Sequence, residues 1–145
     1  MKVFKFGGAS VKDADAVRNM THIVKDYANE PLVIVVSAMD KTTNALEEIV
    51  ELTISRNSQK AIERLEKIKA FHVRIAKNLL GNDKKLESDI NNIIVEVEWV
   101  IEDNPEKDKG LIYDQIVGTG EMLSTRIISA FMEREGISNT WIDEY

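Results

Sequence analysis

Three short stretches hold side chains whose types and spacing suit anionic or zwitterionic guests: Lys5 to Ser10, Ser37 to Asn44, and Gly118 to Thr125. In the first, Lys5 lies within Val3-Phe4-Lys5-Phe6 and is followed by Gly7-Gly8-Ala9-Ser10. Adjacent glycines let backbone N–H groups approach an anion with no side chain in between, and a following helix turns its positive end the same way. A Gly-Gly pair is equally an ordinary strand-to-helix turn, so Lys5 carries the argument. The segment reads as a strand buried on both faces, where an unpaired ammonium is costly unless an anion meets it; at a sheet edge it would instead reach solvent or a protein carboxylate.

The second stretch, Ser37-Ala38-Met39-Asp40-Lys41-Thr42-Thr43-Asn44, offers hydroxyl and amide groups at the start of a helix. Ser37 and Thr43 are binding candidates there, although Thr43 and Asn44 are also common capping residues. Lys41-Thr42 invites a nucleotide P-loop reading, but that motif needs glycines where Val35 and Asp40 stand. In the third stretch, Gly118-Thr119-Gly120-Glu121 is no dinucleotide fingerprint, because Leu123 occupies the third glycine's place. Glu121, in the first turn of a helix, is a favourable dipole partner; as a binding group it would receive an ammonium.

The elements that position these residues follow from periodicity. Lys2 to Phe6 reads as a strand, Asp13 to Ala28 as a helix with apolar residues at Ala16, Val17, Met20, Ile23, Val24 and Tyr27, and Leu32 to Val36 as a continuous β-branched strand of the kind covered on both faces. A strand-helix-strand unit is right-handed in nearly all proteins, so the two strands lie parallel and their exit loops are neighbours at the carboxyl edge, where ligands of open α/β sheets bind. Asn44 with Glu47 resembles a capping pair for a helix to about Ile54. The middle of the chain, about 58–104, shows two apolar stripes: Leu65, Ile68, His72, Ile75, Ala76, Leu79, then Leu86, Ile90, Ile93, Val97, Val100. They predict a helical hairpin turning at Gly81-Asn82-Asp83 and ended by Asn104 to Gly110, which includes Pro105. Leu111 to Val117 reads as a helical turn, Gly118 to Gly120 as a loop, Glu121 to Glu135 as a helix closed by Gly136, and Asn139 to Asp143 as a strand.

With 145 residues and 43% hydrophobic content the chain can bury one sizeable core, and its length argues for one domain. A net charge of −6 gives no broad basic surface, so neither nucleic acid nor an anionic membrane is an expected partner. The absence of cysteine removes disulfides, thiolate metal sites and cysteine nucleophiles, and is compatible with the cytoplasm. Met1 leads straight into a strand, without a targeting segment, and no apolar run approaches the roughly 20 residues of a membrane span. His22 and His72 lack partner ligands at metal-binding spacing and read as structural; no metal site is expected. Trp99 and Trp141 read as packing residues, and Glu63, Glu66 and Lys67 as part of a solvated helix face. The last strand stops abruptly at Tyr145, so more of the domain is expected beyond it.

Lys5-Phe6-Gly7-Gly8-Ala9-Ser10, Ser37-Ala38-Met39 through Thr43-Asn44, and Gly120-Glu121-Met122-Leu123-Ser124-Thr125 together resemble the three amino-terminal signatures of the aspartate kinases, in order and at plausible spacing. The resemblance covers essentially the whole chain but only about the first third of a family member. It implies an α/β fold, the amino-terminal portion of a three-layer, open parallel-sheet amino-acid-kinase domain, carrying a helical hairpin subdomain and lacking the nucleotide lobe and the regulatory ACT domains. It implies that Lys5 neutralises the transferring γ-phosphoryl group, that Gly7, Gly8, Ser10 and Ser37 line the phosphate path, and that Thr43 and Glu121 hold aspartate, the latter through its α-ammonium. The implied partners are L-aspartate and ATP, with MgATP a co-substrate of the full-length parent, a homo-oligomer, and nothing tightly bound by the fragment, which is expected to be inactive alone. Ala9 stands where the family commonly has threonine, Asp40 where it has glycine, and Asp143-Glu144-Tyr145 departs from its usual continuation. Two other readings stand beside this one: another amino-acid kinase, acting on acetylglutamate or glutamate, and a non-catalytic helical interaction or regulatory module that keeps the fold.

Overall fold

The computed structural model of the chain describes residues 1–103 and 108–142. The strands Lys2–Phe6 (β1) and Leu32–Val36 (β2) pair in parallel, with Phe4 opposite Ile34 and Lys5 opposite Val35. Between them runs α1 (Ala14–Lys25), whose Asp13 side chain accepts a hydrogen bond from the Ala16 N–H at 2.8 Å and so caps its first turn. The expected β-α-β start is therefore present. The glycine loop winds further than expected: Gly8–Val11 forms one turn of 3-10 helix before α1.

Phe4, Phe6, Ile34 and Val36 turn toward the interior, where Phe4 meets the Tyr27 ring edge-on at 4.9 Å. The opposite face is open. Val3 is 56% exposed, Val33 41% and Val35 47%, and Lys5 lies among them, also exposed. The expectation that both strands are covered on both faces, with Lys5 held in a desolvated site, is corrected: the helices of the described residues cover one face. Unbroken β-branched runs report that a strand can be covered on both faces; among the described residues only one face is.

Five helices follow β2: α2 (Thr42–Ile54), α3 (Ser58–Leu80), α4 (Lys84–Glu102), α5 (Lys109–Val117) and α6 (Thr119–Arg134). The hairpin of α3 and α4 forms as its stripes require, with every residue of the first stripe buried, as are Leu86, Ile90, Ile93 and Val97 of the second. Asp83 caps α4 by accepting from the Leu86 N–H at 3.0 Å. Pro105 lies outside the described residues; the Asp108 side chain accepts from the Gly110 N–H at 2.7 Å, so Gly110 belongs to α5 and does not end the hairpin. Helix α6 closes in a Schellman motif: Gly136 has φ +85°, its N–H reaches the Glu133 carbonyl, and the Ile137 N–H reaches the Met132 carbonyl at 2.8 Å.

Other expectations need correcting. Asn44 and Glu47 do not cap α2, which begins two residues earlier at Thr42 after a turn in which the Thr42 N–H reaches the Met39 carbonyl at 3.0 Å. Gly118–Gly120 is not a loop: Gly118 is right-handed helical, with φ −60° and ψ −20°, and α5 passes into α6 with that one residue between them. Asn139–Ile142 pairs with no strand, and Asp143 lies outside the described residues; Asn139 is instead anchored by side-chain bonds to Ser129 and to the Ile137 carbonyl. Trp99 is 63% exposed and not a packing residue, whereas Trp141 donates to the Thr125 hydroxyl at 2.8 Å and stacks beneath Arg126. No helix among the described residues is long and apolar enough to cross a membrane.

Candidate functional site

The parallel pairing brings the two exit loops together through backbone. The Ser37 N–H donates to the Phe6 carbonyl at 3.0 Å, and the Asp40 N–H donates to the Gly8 carbonyl at 3.2 Å. A Cβ at Gly8 would stand 3.0 Å from the Ala38 carbonyl oxygen and 3.2 Å from that of Asp40, so Gly8 is needed because the second loop lies against it. Gly7 is different, with open space around it.

The third stretch joins the same place. A Cβ at Gly120 would lie 2.8 Å from the Ala38 Cβ and 3.2 Å from a Leu46 methyl, closer than packed carbons approach. Four residues on, the buried Ser124 hydroxyl donates to the Ser37 carbonyl at 2.9 Å. Ala38 is thus clasped between Gly8 and Gly120, and all three stretches meet on Ser37–Asp40. Asp40 itself adopts φ +48°, a left-handed conformation that favours glycine and that aspartate tolerates better than most residues.

Beside this junction, Thr43 of α2 and Glu121 of α6 line one pocket of about 280 Å³ with Tyr113, Asp114 and Val117 of α5 and the backbone of Gly118. The residues expected to hold an amino acid, far apart in sequence, therefore face the same space. Two carboxylates, Asp114 and Glu121, give it a negative lining suited to an ammonium, and Thr43 adds a hydroxyl at the start of α2, where N–H groups favour a carboxylate. Tyr113 donates to Glu47 at 3.3 Å, and that negative neighbour holds the phenol proton on, raising its pKa above the ordinary value.

Lys5, Gly7, Gly8, Ser10 and Ser37 do not line this pocket. Gly8 and Ser37 sit at the junction; Ser10 is exposed, its N–H donating to the Gly7 carbonyl at 3.0 Å, and Lys5 is exposed on the open sheet face. Tyr113, Asp114 and Glu47 were not legible as site residues, although Asp114 and Glu121, seven residues apart, share one side of a helical ladder once α5 and α6 are read as nearly continuous. Ser124 was visible within its motif, but its bond to the Ser37 carbonyl was not.

The geometry is that of an α/β domain whose two strand-exit loops and the start of α6 meet at the carboxyl edge of a parallel sheet. The model of the amino acid kinase family matches residues 1–144, and the chain belongs to that family. It is 32% identical to aspartokinase 1, chloroplastic, of Arabidopsis thaliana across 99% of its own length and 25% of that protein's, and 25% identical to the bifunctional aspartokinase/homoserine dehydrogenase 2 of Escherichia coli across 98% and 17%. Among solved structures it resembles E. coli aspartokinase III in complex with lysine and aspartate, at TM-score 0.80 and 27% identity over 95% of this chain and 30% of that one. It also resembles the same enzyme with aspartate and ADP, at TM-score 0.82 and 26% identity over 98% and 31%. The domain is aspartokinase-like, and the chain spans about a quarter of the curated aspartokinase it matches over 99% of its own length.

Proposed function

We propose that this chain is the amino-terminal, amino-acid-binding part of an aspartokinase catalytic domain, and that the pocket shared by Thr43 and Glu121 receives L-aspartate. The convergence of those two side chains in one space carries the reading. In the reaction assigned to the full protein, an aspartate β-carboxylate oxygen attacks the γ-phosphorus of MgATP; the bond from that phosphorus to the β,γ-bridging oxygen breaks, and 4-phospho-L-aspartate and ADP leave. The nucleophile is already ionised at pH 7, so alignment and charge neutralisation are what the protein must supply.

In this reading Glu121 takes the α-ammonium and Thr43 a carboxylate oxygen, while the Gly7, Gly8, Ser10 and Ser37 backbone and hydroxyls border the path of the phosphoryl group. Lys5 is the cation for that group, and its exposure leaves its amine free to meet an anion arriving over the open sheet face. That face is also where we place the rest of the three-layer kinase domain, the nucleotide lobe included. Aspartate and ADP, bound by the solved neighbour, are the ligands this assignment transfers. The proposal extends to a homo-oligomeric, cytoplasmic parent, and leaves the 145-residue chain a weak aspartate binder without turnover of its own.

Amide chemical shifts during an L-aspartate titration of this chain test the pocket. Saturable shifts at Thr43, Tyr113 and Glu121 are expected, with affinity falling about tenfold or more in Glu121→Gln, the loss of one charge-assisted contact. Equal affinity in that variant, or stronger binding of L-glutamate, would remove the assignment. In the longer protein, Lys5→Ala is expected to lower kcat about a hundredfold or more with the fold intact, and normal turnover would end the role of Lys5.

A further inference from the structure

A serine inside a helix ordinarily gives its hydroxyl to a carbonyl three or four residues back in the same helix. Ser124 of α6 has that choice, with the Glu121 carbonyl 3.2 Å away, but the Thr125 hydroxyl already donates to that oxygen at 2.6 Å. The Ser37 carbonyl, 87 residues away in sequence, is the nearer acceptor at 2.9 Å. Ser124 is 0% exposed, so bulk water does not compete for its proton. Its single donor is therefore committed to the second strand-exit loop.

That bond completes a line of contacts across the sheet edge. The Ser37 N–H donates to the Phe6 carbonyl at 3.0 Å, and the Ser37 carbonyl accepts from Ser124. Lys5 stands one residue before Phe6; Glu121 stands three before Ser124, on the same side of α6, and lines the pocket with Thr43. The close approach of Gly120 to Ala38 sets how near α6 comes, but a contact between carbons leaves the helix free to turn about its axis. A hydrogen bond weakens steeply when its donor is misaligned, so the Ser124 hydroxyl fixes that rotation as well. We propose that Ser124 is a positioning residue: through the Ser37 carbonyl it holds the Glu121 side of the amino-acid pocket in register with the two strand tips, and so aligns a bound amino acid with the phosphoryl path. The inference rests on the aspartokinase reading for the identity of the guest and of that path. Ser124 does not line the pocket, so its loss should leave affinity nearly intact and instead cost alignment, on which transfer between two held groups depends steeply.

Two readouts test this, both taken well below the melting temperature of each variant. In the ¹⁵N-labelled chain titrated with L-aspartate, the shifts at Thr43 and Glu121 should extend to the Ser37 amide. In Ser124→Ala the shifts at Thr43 and Glu121 should persist, with Kd changed by less than about twofold, while the Ser37 shift vanishes. In the longer protein, Ser124→Ala should lower kcat about tenfold and move KM for aspartate by less than about twofold, the pattern of an interaction that acts on the transition state and not on binding. Ser124→Thr keeps the donor and should hold kcat within about threefold of the natural enzyme. A merely structural serine would lower the melting temperature without separating kcat from KM. Natural kcat in Ser124→Ala, a rise in KM that matches the fall in kcat, equal losses in the alanine and threonine variants, or a Ser37 shift that survives in Ser124→Ala would overturn the positioning role and leave the aspartate reading standing. Absence of saturable shifts at Thr43 and Glu121 in the natural chain would remove the aspartate reading, and the positioning role with it.

Discussion

The helical hairpin and the junction around Ala38 are both closely packed, by opposite means. Helices α3 and α4 meet through large apolar side chains at helical spacing, with Leu65, Ile90 and Ile94 wholly buried. The junction meets through what is missing: Gly8 and Gly120 present no side chain, Ala38 presents one methyl, and the Ser124 hydroxyl ties its helix to the Ser37 carbonyl. A stripe of long side chains can repack around a change of shape, because alternative rotamers exist to fill the space. A backbone laid against backbone has no such freedom. The region that positions a candidate ligand site is thus the one with least tolerance for added atoms, while the hairpin mainly resists lost volume.

The largest effect that would sharpen this contrast is expected in the hairpin. Leu65→Ala empties a fully buried position and should lower unfolding free energy by about 3 kcal/mol, while Leu65→Met should cost under about 1.5 kcal/mol. Equal losses in both would mean that the hairpin is packed as rigidly as the junction.

A smaller effect, but with a telling sign, is expected at Gly120. Inside a helix, glycine to alanine ordinarily stabilises by about 1 kcal/mol. Here the new Cβ would stand 2.8 Å from that of Ala38, so Gly120→Ala should instead destabilise by about 1 to 2 kcal/mol. Adding Ala38→Gly should recover part of the loss, because the two changes share one contact. Urea unfolding of the three proteins decides it, and a more stable single variant would show the junction to be looser than described.

The same contrast explains what could be read from the residues beforehand. Periodic side chains announced α1, the hairpin and its turn at Gly81–Asp83, and α6 with its glycine stop, because each buries one face of a helix. The strand-helix-strand rule also announced that the Lys5–Ser10 and Ser37–Asn44 loops are neighbours, whereas only the family resemblance linked Glu121 to Thr43. Glycine at 118 and 120 was misread as a loop signal, since residues that allow a turn are the same ones that allow a close approach. The capping pair at Asn44 and Glu47 failed because Thr42, 5% exposed, starts the helix against the core. Lys5 and Trp99 were assigned to buried environments on the character of their neighbours alone, and what covers a strand or helix face is a tertiary fact that local sequence does not carry.

The finest test concerns the one titratable side chain among the described buried residues, His72, which interrupts the apolar stripe of α3 with a polar ring. Its Nδ1 lies 2.8 Å from the Ile68 carbonyl, which can only accept, so that nitrogen carries the proton; Nε2 is buried with no partner among the described residues. Burial penalises the imidazolium more than the carbonyl favours it, and the pKa falls below the ordinary 6.5. Unfolded His72 therefore binds a proton at a pH where folded His72 does not. The proton excess of the unfolded state makes stability rise with pH in that window. The contribution is complete above about 6.5 and is lost as pH falls from there toward the folded value. Urea midpoints between pH 5 and 8 should decline on the acid side for the natural chain and decline less for His72→Leu, which cannot titrate. Exposed His22 is common to both and cancels in the comparison. Parallel slopes would mean that the hairpin admits water to His72, and that its packing is not the dry, side-chain-filled kind contrasted with the Ala38 junction.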